Sequence, residues 1–304
     1  MENKLLKMVV TIFSAFFLLV SNPSYAVDKE KEVTPEVKSE STQAVQPAVE
    51  NKTDEKINEQ RNKILSEASA AITESRKALK ALDEDKPDEA IKALELATGK
   101  MALIVAREPE LALAKVDINV KIYDLFARIE TLEATVKQAT EYLKDGEVQL
   151  ARPLVSSLAS EMVIESINIP LGTYPDAIIA VVPLIDKGKI DEAKSALQAA
   201  LNTLVIVEEE VIPLPVIRAK AILKDAEQLA ESEERKEEDN KKLATLLDDA
   251  HTQLKMAEIL GYGDKKAFKP MYEQLDNIKE KTKNSKHGKG FFDKLKNQIT
   301  ELFN

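Results

Sequence analysis

The side chains that carry most enzyme chemistry are sparse in this sequence. It has no cysteine and only two histidines, His251 and His287. Disulfides and thiol chemistry are therefore excluded, and a zinc site of the usual kind has no ligand set. Neither histidine stands at a spacing that pairs it with a serine nucleophile or with metal-binding partners, and His251 reads as a surface or boundary residue of a helix. No glycine-rich phosphate loop or nucleophile elbow is present. Carboxylates abound, but Asp145, Glu147, Asp186 and Asp191 fall at helix ends, where capping and the helix dipole account for them. The expectation is a non-enzymatic protein without cofactor or metal.

One group of residues suits ligand binding. Asn168, Tyr174, Asp176 and Arg218 flank two copies of the tripeptide Ile-Pro-Leu, at Ile169–Leu171 and Ile212–Leu214. If the segments before these tripeptides pair as strands, the four residues are expected to meet at one end of the ribbon, with Tyr262 approaching. The plainer reading is that Asp176 caps the helix after Pro175 and Arg218 pairs with it, and it is the stronger of the two.

The elements that position this group follow from composition. Met162–Ile169 and Leu204–Ile212 are rich in Val and Ile, which lose side-chain freedom in a helix and pack well on a pleat. Each run stops at a proline, which cannot donate to a ladder. Between them, Tyr174 to Thr203 reads as a helical hairpin turning at Asp186-Lys187-Gly188-Lys189, so the two strands can pair antiparallel. Ile167 and Val207 are expected to be largely buried against helices. Elsewhere Ala, Leu, Lys and Glu favour helix. The fold class is mainly α: an irregular bundle of helical hairpins with one short two-stranded antiparallel ribbon.

Along the chain, Lys4 and Lys7 precede an apolar run, and Ser24-Tyr25-Ala26 offers small residues for cleavage, so residues 1–26 read as a signal peptide cut between Ala26 and Val27. Residues 27–54 lack aromatics and an apolar stripe and read as a disordered tether. The helical domain spans 55–282, with Ile118 to Leu143 as one of its helices. Three of its turns share a pattern: Leu82 to Ala90, Leu143 to Ala151 and Ile185 to Ala193 each run from an apolar residue through a polar turn to Ala. The spacing is uneven, so this is no regular solenoid. Ala230 to Lys242 is almost wholly charged and reads as a solvated connection. Residues 283–304 form a basic linker and an amphipathic helix with Phe291, Phe292, Leu295, Ile299, Leu302 and Phe303 on one face. That helix is expected to dock on protein in preference to anionic lipid. Deleting Lys289 to Asn304 is expected to leave the rest folded.

The formal charge of −10 argues against a nucleic-acid partner. Three stretches, Thr173-Tyr174-Pro175-Asp176-Ala177-Ile178, Asp186-Lys187-Gly188-Lys189-Ile190-Asp191-Glu192-Ala193 and Val211-Ile212-Pro213-Leu214-Pro215-Val216-Ile217-Arg218, resemble the YfdX family, with similarity running from about Ile64 to Tyr262. The resemblance implies an exported, mainly helical bacterial protein of the periplasm, linked to acid or envelope stress, forming homo-oligomers and in some members chaperone-like. The expected function is holding unfolded client proteins under such stress. The alternatives are a small-ligand binding or sensing module and an envelope-associated structural protein.

Overall fold

The structure is a computed structural model and describes residues 39–283, 286 and 289–303. The expected signal peptide, its cut between Ala26 and Val27, and His287 lie outside these residues. In chain order the elements are α1 (Glu40–Ala44), α2 (Gln46–Arg61), α3 (Ser66–Asp83), α4 (Pro87–Arg107), β1 (Leu113–Tyr123), α5 (Ile129–Lys144), α6 (Val148–Ser156), β2 (Glu161–Pro170), α7 (Tyr174–Ile179), α8 (Val182–Asp186), α9 (Ile190–Leu201), β3 (Val205–Pro213), α10 (Leu214–Glu231), α11 (Glu237–Ile259), α12 (Lys265–Thr282) and α13 (Asp293–Phe303). The protein is mainly helical with a small antiparallel sheet.

The three related turns fold alike. Each places one residue in the left-handed region: Asp85 (φ 56°), Gly146 (φ 78°) and Gly188 (φ 71°). The next amide then reaches back five residues, from Lys86 to the Ala81 carbonyl (2.9 Å), Glu147 to Tyr142 (2.8 Å) and Lys189 to Leu184 (2.9 Å). This is the bond that closes a helix at a left-handed residue. Ala90, Ala151 and Ala193, which close the shared pattern, are all buried. A methyl group there lets the second helix lie close to its neighbours.

The sheet has three strands, not the expected two, in the order β1-β2-β3 with both pairings antiparallel. β1 occupies the start of the stretch expected to be helix from Ile118. Ala114, Val116, Ile118, Val120 and Ile122 alternate with polar residues, which is the period-two signal of a half-covered strand. β2 and β3 end at Pro170 and Pro213, as the missing proline amide requires. Ile167 and Val207 are half-buried rather than largely buried. Ile167 lies at the margin of a helical core, and Val207 pairs with Ser166 on the outer part of the sheet.

Two helical cores flank the sheet. The first joins α3, α4 and α7 to α9 to Ala114, Val116 and Ile169 of the strands. The second joins α10 to α13 and takes in Val45. A smaller cluster of Val49, Met162, Ile164 and Leu214 lies at the other end of β2. The amphipathic tail thus docks on its own domain: Phe292, Leu295 and Ile299 are fully buried in the second core. The tether expected over 27–54 is helical from Glu40. Its composition cannot sustain a helix alone, but Val45 and Val49 are buried against later parts of the chain and Lys56 pairs with Glu210 of β3 (2.9 Å). Tertiary contact overrides composition here. Within the charged run, Arg235 is the buried exception. Its guanidinium donates to the carbonyls of Ala230 (3.0 Å), Thr282 (3.1 Å) and Lys286 (2.5 Å), fastening the α10–α11 turn to the end of α12.

The α11–α12 contact is acid-sensitive by construction. The Tyr272 hydroxyl donates to Glu258 (2.8 Å), Lys255 adds an ion pair to Glu258 (3.0 Å), and Lys279 pairs with Asp248 (2.6 Å). The His251 ring lies 4.7 Å from that of Tyr272. Burial opposes ionisation of Glu258, yet the bonds from Lys255 and Tyr272 together outweigh it and hold its pKa below 4.5. Burial, then the Lys279 charge, hold His251 below 6.5 despite Asp276 and Asp248. Both folded values are depressed. The stabilisation from His251 is complete above pH 6.5 and fades as acid protonates it; that from Glu258 is complete above pH 4.5 and is lost as pH falls through its lower folded value. Stability measured from about pH 7 to about pH 3, a span that brackets ordinary His and carboxylate titration, is expected to fall in two steps. His251→Gln should remove the upper step, and Glu258→Gln should shrink the lower, to which other depressed carboxylates such as Glu67 and Glu165 also contribute. A wild-type profile flat across the upper range would refute the assignment to His251.

Candidate functional site

Antiparallel pairing divides the residues expected to form one ligand site. Asn168 pairs with Val205 at one end of the ribbon, and Glu161 pairs with Pro213 at the other. The two Ile-Pro-Leu stops therefore lie at opposite ends of β2, about 30 Å apart at roughly 3.4 Å per residue. Asn168, Tyr174 and Asp176 stay at the first end; Arg218 and Tyr262 belong to the second. The five do not converge.

At the first end each residue has a structural task or faces solvent. Asn168 is buried, and its amide donates to the Ser166 hydroxyl (2.7 Å) and the Val205 carbonyl (3.2 Å), tying β2 to β3. Tyr174 is fully buried in the first core, and burial pushes its hydroxyl pKa up. Asp176 is exposed in the first turn of α7, where a carboxylate meets the positive end of the helix dipole. It does not pair with Arg218.

At the second end, Arg218 is only 1% exposed and pairs with Asp124 in the loop after β1, at 2.7 Å. Its guanidinium lies 4.6 Å from the centre of the Phe126 ring, within reach of a cation–π contact. This holds the β1–α5 loop against α10. Tyr262 accepts the Ser160 amide at 2.8 Å, just before β2, and burial is the chief cause of its strongly raised pKa. Among the described residues no three His, Cys, Asp or Glu stand together as a metal site. No described helix is long and apolar enough to cross a membrane.

The α5–α6 hairpin offers a different surface. On α5 an apolar stripe runs through Leu132, Val136, Ala139 and Leu143, spaced to fall on one helix face. Leu132 and Ala139 are buried, whereas Leu143 is 50% exposed. Across the turn, Val148, Leu150 and Val155 of α6 are as exposed, and only Ala151 is covered. The apolar face is therefore covered along α5 and bare around the tip. The sequence displays this stripe, but only the packing of α5 on α11 shows which end lacks cover. Sequence reasoning also missed four lysines, Lys52, Lys56, Lys220 and Lys224, that line one cleft beside β3. The first of them falls in the stretch expected to be a tether.

The described residues thus define a mainly helical protein built on a small antiparallel sheet. Residues 71–210, from α3 into β3, match the family model described as YfdX protein. The Val211–Arg218 motif falls just beyond the matched residues. Among solved structures, the chain is similar to one of Salmonella Typhi YfdX, with 13% identity, coverage of 50% of this chain and 93% of that one, and a TM-score of 0.34. No curated protein matches.

Proposed function

We propose that the protein is a non-enzymatic, exported holding protein that shields apolar segments of unfolding neighbours, in the periplasm under acid or envelope stress. The observation that carries the reading is the bare tip of the α5–α6 hairpin, where Leu143 and Val148 flank the turn about half exposed, with Leu150 and Val155 equally exposed further along α6. Clustered exposed apolar side chains mark contact sites for other proteins. The acid-weakened α11–α12 contact adds a stress response, because α5 rests on α11 and loosening there frees more of its apolar stripe.

The test is suppression of aggregation of an unfolding client by wild type and by a Leu143→Glu, Val148→Glu variant. Both positions are exposed, so each change should alter stability by no more than about 0.5 kcal/mol. The variant is expected to melt like wild type and to lose most of its client protection. Equal protection by both proteins, or none by wild type at any pH, would refute the reading.

A further inference from the structure

A cleft of about 650 Å³ opens between α2, the end of β3 and α10, with Phe303 of α13 at its rim. This lies within the roughly 300–1,000 Å³ of small-molecule sites. Its floor is apolar. Val216 is fully buried, and Ile212 and Ile217 are half-buried.

Its walls carry two lysine pairs, each four residues apart on a helix: Lys52 and Lys56 on α2, Lys220 and Lys224 on α10. Like charges at that spacing destabilise a helix, so neither pair is there for helix stability. Glu210 is the lining carboxylate and is bonded to Lys56 (2.9 Å), which also meets Glu59 (3.2 Å); Lys52 pairs with Glu55 (2.8 Å). Burial first, and the Lys52 charge second, disfavour the charged form of Lys220. The cluster thus gathers cations on a chain whose formal charge is −10, over an apolar floor.

We propose that this cleft binds a single-chain fatty acid, its alkyl chain along Ile212, Ile217 and Phe303 and its carboxylate between Lys52 and Lys220. A carboxylate there gains charge-assisted hydrogen bonds from the lysine ammonium groups. The floor supplies the apolar burial that an inorganic anion cannot use. The occupant bridges α2, α10 and α13, three elements that lie outside the matched YfdX residues.

The test is calorimetric titration of the full chain with dodecanoate, below its micelle concentration, with acetate, dodecanol and a dodecanoyl lysophospholipid as comparison probes. Dodecanoate is expected to bind one to one, and acetate not measurably. Dodecanol should bind at least about tenfold more weakly, the change that roughly 1.4 kcal/mol of lost head-group binding produces. A Lys52→Gln, Lys220→Gln variant should lose a similar factor while melting no lower than wild type. Phe303→Ala should weaken dodecanoate and dodecanol alike. No binding of dodecanoate to wild type would overturn the proposal, as would equal affinity of the double variant or of dodecanol. Tighter binding of the lysophospholipid than of dodecanoate would overturn the fatty-acid assignment.

Discussion

Deleting residues 289–304 is expected to unfold the α10–α13 half of the protein. Phe292, Leu295 and Ile299 are at most 1% exposed and lie in the second core. Burial of each such side chain contributes about 1.5–3 kcal/mol, so their joint loss is on the order of 5–9 kcal/mol. Net stabilities of native domains are only about 5–15 kcal/mol. The deletion also removes the Lys296 ammonium from Glu227, where it bonds both carboxylate oxygens (2.7 and 2.9 Å). Thermal melting followed by circular dichroism, with an apolar dye to report the uncovered core, would show the collapse. Unchanged melting and no added dye binding would mean that α12 and α11 cover each other without α13.

The sequence-based expectation for this tail is half met, and the reason is physical. An apolar stripe at helical spacing states that a face will be covered. It does not state by what, since the same stripe suits lipid, a second subunit or the parent domain. The same limit governs the N-terminal helices: Val45 and Val49 stand among polar residues, and their partners on α10, α11 and β2 lie far along the chain. Signals that act over a few residues are legible, including the glycine turns, the prolines that end β2 and β3, and the alanine after each turn. The alternation in β1 is equally local, yet the helix-forming stretch that follows it masks it. Antiparallel pairing of β2 and β3 is legible too. That pairing itself separates the two Ile-Pro-Leu stops, so the supposed five-residue site fails on geometry.

Asp124→Ala is expected to be the most damaging single change outside the cores. It leaves the Arg218 charge, 1% exposed, without its carboxylate. The Nε and Nη1 atoms of Arg218 are already buried without hydrogen-bond partners among the described residues, so the Asp124 bond is its main polar compensation. Breaking a buried pair from one side costs roughly 3–5 kcal/mol. Asp124 retains 29% exposure, which lets water soften the loss and places it toward the lower end. Arg218→Met removes the charge while keeping much of the stem, and in the same setting apolar replacement of a buried pair is often neutral. The expected order of melting temperature is therefore wild type, close to Arg218→Met, above Asp124→Ala, with the double variant above Asp124→Ala alone. If Asp124→Ala proves harmless, the guanidinium finds its compensation elsewhere and Phe126 becomes the leading contact.

The long reach of α1 and α2 carries a consequence for the order in which the chain acquires structure. Thr42 bonds to Gln253, 211 positions later, and Val45 lies in a core built otherwise from α10 to α13. In any process that releases the chain from its N-terminus, these helices wait for the surface they need. The first core draws mainly on α3 to α9 and can close in that interval. A strongly apolar segment held waiting so long would invite aggregation. The polar character of residues 39–54, which lie in the stretch that reads as a tether, instead lets them stay solvated until their late partners emerge.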